Sequence, residues 1–270
     1  MALIDGYPGV EATHTINGVA MNVLTAEPRI RLTRVTGLHS LADADDTRQT
    51  NTGRRGETVL PGAPRGKTVV YEGTVQARTL AGLRQTAKAL RAACRERNAE
   101  QRVWLGTDFF MDGRILSFDA DDEQTTGPQA VRPFQRDFTL SLRMSDARVY
   151  YNQLGAAAAA DGDSVVLHNS GDADTDPTLN LTVAAATVQV YNGTLDKYLI
   201  FNGLDAHIGG VLVVDFKART ARIGGFDAMT GFDTTGSTWW DEYVPGLAPG
   251  DNNVGVVGAA MAASWYPAFE

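Results

Sequence analysis

The chain has 270 residues, of which 43% are hydrophobic, and it carries a net charge of −8 at pH 7. This length suits two domains with substantial cores, and the acidic balance argues against nucleic-acid binding as the main function. A single cysteine, Cys94, excludes a disulfide framework. Because the N-terminus lacks the features of a signal peptide and no apolar run is long enough to cross a bilayer, we expect a soluble protein made in the cytosol.

The first predicted element is a β-hairpin, since Asn17-Gly18 separates the β-prone runs THTI and VAMNVL. Residues 29–36 predict a further strand. Residues 39–67 are polar and rich in Asp, Thr, Arg, Gly and Pro, which indicates a long loop. A loop of that length inside a compact domain is uncommon and is usually functional, so we expect it to be mobile until a partner orders it.

One amphipathic helix is predicted at about residues 79–97, with Thr79 as its N-cap and Asn98 as its C-terminal stop. Its apolar residues recur at steps of three and four, at Leu80, Leu83, Ala87, Leu90 and Cys94. The preceding strand places apolar or small residues on one face, namely Val69, Tyr71, Gly73 and Val75. The pattern therefore predicts a helix that packs on a sheet.

The opposite face of this helix is basic, with Arg84, Lys88, Arg91 and Arg95. Such a stripe is most often a solvated face. The alternative is a contact with an acidic partner, and the acidic sequences DADD (Asp43–Asp46) and DADDE (Asp119–Glu123) offer carboxylates of this kind.

The predicted fold class is mainly β, in two domains. Residues 1–149 form a β-sheet or split-barrel domain, with further short strands after its one covering helix. Residues 150–270 form a β-sandwich of short Val- and Leu-rich strands separated by Gly, Asn and Asp turns. The small, polar stretch at 155–163 is predicted to be a linker or an exposed loop.

Two motifs that resemble ligand sites fail on chemistry. Gly66-Lys67-Thr68 lacks the first glycine of a phosphate-binding loop, which is Pro61 here, and Thr68 opens a strand instead of a helix.

Asp172, Asp174 and Asp176 alternate as in a calcium loop. Pro177 takes the place of the required glycine, however, and Val183 that of the final glutamate. A solvated turn is the better interpretation.

The sequence offers no catalytic constellation either. Its four histidines lack metal-ligand spacing, Cys94 falls on the apolar stripe of the helix, and no nucleophile elbow is present. We therefore expect no catalytic residue, cofactor or metal. The aromatic residues Trp239, Trp240, Trp265 and Tyr266 either fill a core, as is usual in a small sandwich, or stack on sugar rings.

Several motifs follow one another along the chain in a characteristic order. HNSGDADTDP (168–177) forms a polar bend, and VLVVDFKARTARIGG, LAPGDNNV and SWYPAF follow it. In this order they resemble the distal tail proteins of long-tailed phages, the Dit-like family. There an N-x-G-D-x-x-x-x-P bend opens a galectin-like sandwich, and a P-G-x-N turn and a late Trp close it. Upstream, RRGETVL, RGKTVVYEG and the helix resemble the N-terminal domain of that family.

This resemblance implies a structural virion protein and not an enzyme. Six copies would form a homohexameric ring through the N-terminal domains at the distal end of the tail tube, after synthesis in the host bacterial cytoplasm. The implied partners are the tail tube protein, the tail-associated hub protein and receptor-binding proteins, without nucleic-acid recognition or membrane insertion. The candidate subunit-interface residues lie in the long loop and on the helix: Arg48, Arg54, Arg55, Glu57, Arg84, Lys88 and Arg91.

The alternative is a carbohydrate-binding module with a β-rich companion domain. It predicts an exposed aromatic platform around Trp239 or Trp265.

Overall fold

The computed structural model describes residues 11–23, 25–38, 43–44, 47–50, 57–60, 64–96, 99–120, 134–144, 146–239 and 246–269, with residues 43–65 described by their backbone alone. Contacts divide the chain into two compact units that meet between Val149 and Tyr150. Within these ranges no helix is long and apolar enough to cross a membrane.

The first unit is an antiparallel sheet with one helix. Its elements are β1 (His14–Ile16), β2 (Val19–Met21), β3 (Arg29–Thr36), β4 (Asp43–Ala44), β5 (Thr47–Thr50), β6 (Glu57–Leu60), β7 (Pro64–Arg65), β8 (Thr68–Ala77), α1 (Leu80–Ala93), β9 (Gln101–Leu105), β10 (Phe109–Ala120) and β11 (Phe134–Arg143). The main sheet has the order β2-β1-β9-β10-β11-β8-β3, and β4-β7 and β5-β6 pair separately.

The predicted N-terminal hairpin is confirmed. Asn17 and Gly18 adopt φ values of 46° and 79° between β1 and β2, as a tight two-residue turn requires. The predicted alternation of β8 is also confirmed, because Val69, Tyr71 and Val75 are buried. These side chains form the core beneath the helix.

Helix α1 begins as predicted, since the Thr79 hydroxyl accepts a hydrogen bond from the Gly82 amide at 3.1 Å. It packs on β8 and β11 through its apolar stripe, in which Leu83, Ala87, Leu90 and Cys94 are buried. The mainly β fold with a single covering helix in the described part of the unit agrees with the sequence prediction.

The end of the helix differs from the prediction of about residue 97. The helix stops at Ala93, and Cys94 leaves helical geometry with φ −92° and ψ 4°. The side-chain amide of Asn17, from the hairpin turn, donates to the Ala93 carbonyl at 2.8 Å and so caps this end. This contact spans distant parts of the sequence. The predicted stop, Asn98, lies outside the described residues.

The long polar segment is more regular than its composition suggests. β5 pairs with β6 (Thr47 with Leu60), and β4 pairs with β7 (Asp43 with Arg65). We call this hairpin, residues 43–65, the arm. The prediction of an irregular loop was wrong for the described strands, because Thr and Val residues favour strand pairing.

The second unit is a β-sandwich. From the boundary between the units onward, the strands are β12 (Val149–Tyr151), β13 (Gly155–Ala159), β14 (Ser164–Asn169), β15 (Thr178–Val183), β16 (Val188–Asn192), β17 (Lys197–Phe201), β18 (Val211–Asp215), β19 (Thr220–Ile223), β20 (Phe226–Asp227), β21 (Gly250–Val257), β22 (Ala259–Trp265) and β23 (Ala268–Phe269). A six-stranded sheet, β13-β22-β15-β18-β19-β20, and a four-stranded sheet, β14-β21-β16-β17, enclose one apolar core.

The stretch at 155–163 is only partly the linker or exposed loop that its composition predicts, since residues 160–163 form an exposed turn but the residues before them do not. Residues Gly155–Ala159 form β13, an edge strand that pairs with β22. Alanine has a low strand propensity, so tertiary pairing overrides the local preference here. Gly155 is required at its position, because a Cβ there would overlap the indole ring of Trp265.

Candidate interaction surfaces

The basic face of α1 borders a groove. Arg84, Lys88 and Arg91 are exposed, as the stripe predicts. Between the end of α1 and the end of β10 lies a groove of about 660 Å³, lined by Lys88, Arg91, Ala92, Cys94, Arg95, Phe118, Asp119 and Ala120. Three cationic side chains therefore border one concave surface, which we call the basic groove.

The floor of the basic groove is apolar. Cys94 is buried, and Phe118 stacks on Phe138 with a centroid distance of 6.2 Å. Arginine and lysine side chains around an apolar floor suit a segment that carries carboxylates and an apolar side chain. The sequence predicted the cationic side chains of the groove. It did not predict Phe118, because only strand pairing in the sheet brings the end of β10 to the same groove as the helix.

The arm is anchored at its base. The Lys67 side chain is 2% exposed, and its Nζ donates to the carbonyl of Leu38 at 2.7 Å. Gly37 adopts φ 81°, and a Cβ there would overlap the carbonyl oxygen of Thr68. The two residues that flank the arm are thus tied together, and Lys67 serves the backbone instead of a phosphate.

The other predicted interface residues lie on the arm. Arg48 is in β5 opposite Val59, and Glu57 is in β6 opposite Thr50. Arg54 and Arg55 lie outside the described residues. The structure therefore brings Lys88 and Arg91 together at one groove, places Arg84 on the same helix face but not in the groove lining, and places Arg48 and Glu57 on paired strands.

The polar bend at 168–177 organises the sandwich. Asn169 is fully buried, donates from Nδ2 to the Ala173 carbonyl at 2.8 Å and accepts from the Gly171 amide at 3.1 Å. The Thr175 hydroxyl donates to the Tyr266 carbonyl at 2.6 Å. These bonds fix the bend to the last strands of the chain. No group of three or more potential metal ligands occurs among the described residues.

The turn LAPGDNNV has a similar structural role. Asn252 is fully buried, accepts from the Ala248 amide at 3.0 Å and donates to the Ala248 carbonyl at 2.8 Å. Its side chain also lies 3.2 Å from the Gly250 carbonyl oxygen. One buried amide therefore satisfies backbone groups of both Ala248 and Gly250 in the turn.

Trp239 and Trp265 do not form the platform that a carbohydrate-binding module requires. Trp239 is fully buried, donates to the Gly246 carbonyl at 3.0 Å and packs edge-to-face on Phe216. Trp265 is 5% exposed and donates to the His168 carbonyl at 3.1 Å. Both are core residues, so a platform around either one is excluded. Trp240 lies outside the described residues.

The turn and most of the bend lie in the part of the chain that comparison with known families identifies. Residues 170–269 match the family model described as a siphovirus-type tail component, C-terminal domain. This part of the chain is therefore similar to the C-terminal domain of a siphovirus-type tail component. More narrowly, the match agrees with the resemblance to the Dit-like, or distal tail, proteins that the order of the motifs predicts.

Two solved structures align with most of the chain. The SPP1 Dit protein, described as a paradigm of the hub adsorption apparatus in phages infecting Gram-positive bacteria, is 16% identical, with coverage of 94% of this chain and 97% of that chain and a TM-score of 0.61. A chain of the activated, calcium-containing baseplate of phage p2 is 7% identical, with the same coverage of 94% and 97% and a TM-score of 0.46. No curated protein sequence matches the chain.

Proposed function

We propose that six copies of this chain form a closed ring at the distal end of the tail tube. The ring joins the tail tube protein to the tail-associated hub and to host-recognition proteins. The observation that carries the proposal is the family match of residues 170–269 to a siphovirus tail component. The fold likeness over 94% of the chain to a protein described as part of a hub adsorption apparatus supports the same role.

The first unit makes the ring in this proposal. A closed ring needs two different surfaces on each subunit that complement each other. The arm supplies one, because β5 and β6 are a two-stranded hairpin whose outer backbone edges can pair with a neighbour. Its anchored base, through Lys67 and Leu38, keeps the hairpin in a constant position on each subunit.

The basic groove supplies the second surface. Lys88, Arg91 and Arg95 require carboxylates on the neighbouring surface for a favourable contact. Because the groove is open to solvent, these contacts should weaken as salt is added. The second unit then acts as a docking platform outside the ring, and its buried polar network serves stability and not catalysis.

Mass measurement on the complete chain tests the ring. Native mass spectrometry should give a species of six times the 28.9 kDa subunit. Removal of the arm, residues 43–65, with a short glycine linker in its place should leave folded monomers. Arg91→Glu should shift the distribution toward monomers, and the exposed Arg222→Glu, in the second unit, is the matched control.

A monomeric full chain at micromolar concentration would contradict unaided ring assembly. If the arm deletion forms rings as readily as the full chain, the arm is not an interface. If Arg222→Glu weakens assembly as much as Arg91→Glu, the effect comes from net charge and not from the basic groove.

A further inference from the structure

The outer face of the four-stranded sheet has a chemistry that ring assembly does not require. Tyr191 on β16 and Tyr198 on β17 are direct cross-strand partners on this face. Their ring centroids lie 6.3 Å apart and the ring planes differ by 31°. Since Tyr198 is 36% exposed, the two rings form a shallow aromatic surface that solvent can reach.

A glycine holds the first ring against the sheet. Gly255 on β21 lies directly opposite Tyr191, and a Cβ at this position would overlap Cε1 of the tyrosine ring. The missing side chain lets the phenol lie over the backbone of the neighbouring strand. The packing of Tyr191 on Gly255 explains the position of one ring, but it does not explain the exposed ring of Tyr198.

Unpaired polar groups surround the rings. The strand registers place Ser164, Gln189 and Asn253 on the same face. Within the described residues, the side chains of these three and the two phenol oxygens make no hydrogen bond. Hydroxyl and amide groups thus stand free at the edge of an aromatic surface.

The face also lacks charge around the rings. The charged residues of its four strands are Lys197, at the start of β17, and Asp251, whose Oδ1 lies 2.5 Å from Nδ1 of His168 at one end. Val166 and Val257, 53% and 52% exposed, add apolar area. A charged ligand would find no counter-charge beside the tyrosines.

We propose that this surface, the tyrosine face, binds neutral hexose units of a polysaccharide. A pyranose ring has an apolar C–H face that stacks on an aromatic ring and a rim of hydroxyls that needs donors and acceptors. The two tyrosine rings supply the stacking surface, and Ser164, Gln189 and Asn253 supply the donors and acceptors. An apolar peptide would instead leave those three groups unpaired, at a cost in free energy.

The test uses the complete chain and defined probes. Neutral oligosaccharides of glucose, galactose, mannose and N-acetylglucosamine, four to six units long, are compared with polygalacturonate oligomers. Saturation-transfer NMR identifies binders, and calorimetry gives Kd. We expect at least one neutral series to bind and the charged series not to bind.

Variants assign the site. Tyr198→Ala, at an exposed position, should weaken binding at least tenfold, and Gly255→Ala should do so by displacing the ring of Tyr191. Phe226→Ala removes an aromatic ring that is 53% exposed on the other sheet and is the matched control, with unchanged Kd. Circular dichroism checks folding.

The proposal is overturned if no neutral probe binds at millimolar concentration or if only the charged oligomers bind. It is equally overturned if Tyr198→Ala binds as well as the parent protein, or if Phe226→Ala loses as much affinity. None of these results bears on ring assembly, which is measured by mass.

Discussion

Replacing Gly171 with alanine should detach the last strand from the polar bend. Gly171 is the glycine of the N-x-G-D motif, and a Cβ there would overlap the carbonyl oxygen of Ala268 in β23. The obstacle is backbone and not the end of a flexible side chain. The bend or β23 must therefore move, and the polar network of Asn169 opposes movement of the bend.

The cost follows from what β23 loses. The hydrogen bond from the Ala173 amide to the Ala268 carbonyl, 3.0 Å long, contributes about 1 kcal/mol. Partial exposure of Phe269, now 5% exposed, costs about 2 kcal/mol more. A loss of about 3 kcal/mol is a large part of the stability of a domain and should lower Tm by about 10 °C.

Thermal melting and hydrogen exchange measure this effect. Exchange should become faster in the peptide that contains β23 and in the bend, while the first unit keeps its protection. Gly193→Ala is the matched control, because the nearest atom to a Cβ at that position is 3.6 Å away. The reasoning fails if Gly171→Ala and Gly193→Ala melt within 1 °C of each other.

Three further predictions concern buried groups. Leu90→Asp places a carboxylate on the buried stripe of α1 and should unfold the first unit at a cost of several kcal/mol. Arg91→Glu lies on the exposed face and should change the stability of the unit by less than about 0.5 kcal/mol. If a thermal melt shows that the Arg91→Glu protein is unfolded, the two faces of the helix are misassigned. Burial raises the pKa of the Tyr71 hydroxyl above its ordinary value of 10.0. Above pH 10 the unfolded chain therefore loses this proton, whereas the folded unit keeps it. The contribution of this group to the stability of the folded unit is complete below pH 10 and declines at higher pH. Chemical denaturation should show that the free energy of unfolding falls more steeply with pH for the parent than for Tyr71→Phe, by up to about 1.4 kcal/mol per pH unit. Equal slopes for the two proteins would refute this. Asn252→Ala leaves turn carbonyls without a donor and should lower the free energy of unfolding of the second unit by about 2–4 kcal/mol, measured by urea unfolding. A loss below about 0.5 kcal/mol would count against the structural role of Asn252.

Local signals were sufficient for the elements with strong periodicity. The Asn17-Gly18 turn, the alternation in β8 and the apolar stripe of α1 follow from steric and burial rules that act within a few residues. The resemblance of the later motifs to distal tail proteins was also confirmed by the family match. In these places, local preference and tertiary packing agree.

Two of the errors arose where distant contacts decide the structure. The end of α1 depends on Asn17, and the strand at Gly155–Ala159 depends on β22 and the ring of Trp265. The arm looked irregular because its residues are polar, but strand pairing needs only compatible backbones. Asn17, β22 and Trp265 are distant in sequence from the residues that they position, whereas β5 and β6 are close in sequence and were missed because of their polar composition.

The candidate surfaces were only partly predictable for the same reason. The sequence predicted the cationic residues of α1. It did not predict that Phe118, on β10, lines the same groove. It likewise pointed to Trp239 and Trp265, whose large apolar rings fill the core instead of forming a surface. The exposed aromatic pair became visible only when the register of β16 and β17 was known.

The two proposed surfaces differ in how they should respond to salt. Contacts at the basic groove depend on exposed charges, whose interactions are screened beyond about 10 Å at 0.1 M salt. The tyrosine face depends on stacking and on neutral hydrogen bonds, which salt at that concentration leaves almost unchanged. Raising the salt concentration should therefore weaken contacts between subunits while sugar binding keeps its affinity. Such a division would let the second unit bind a polysaccharide under conditions in which the first unit no longer assembles.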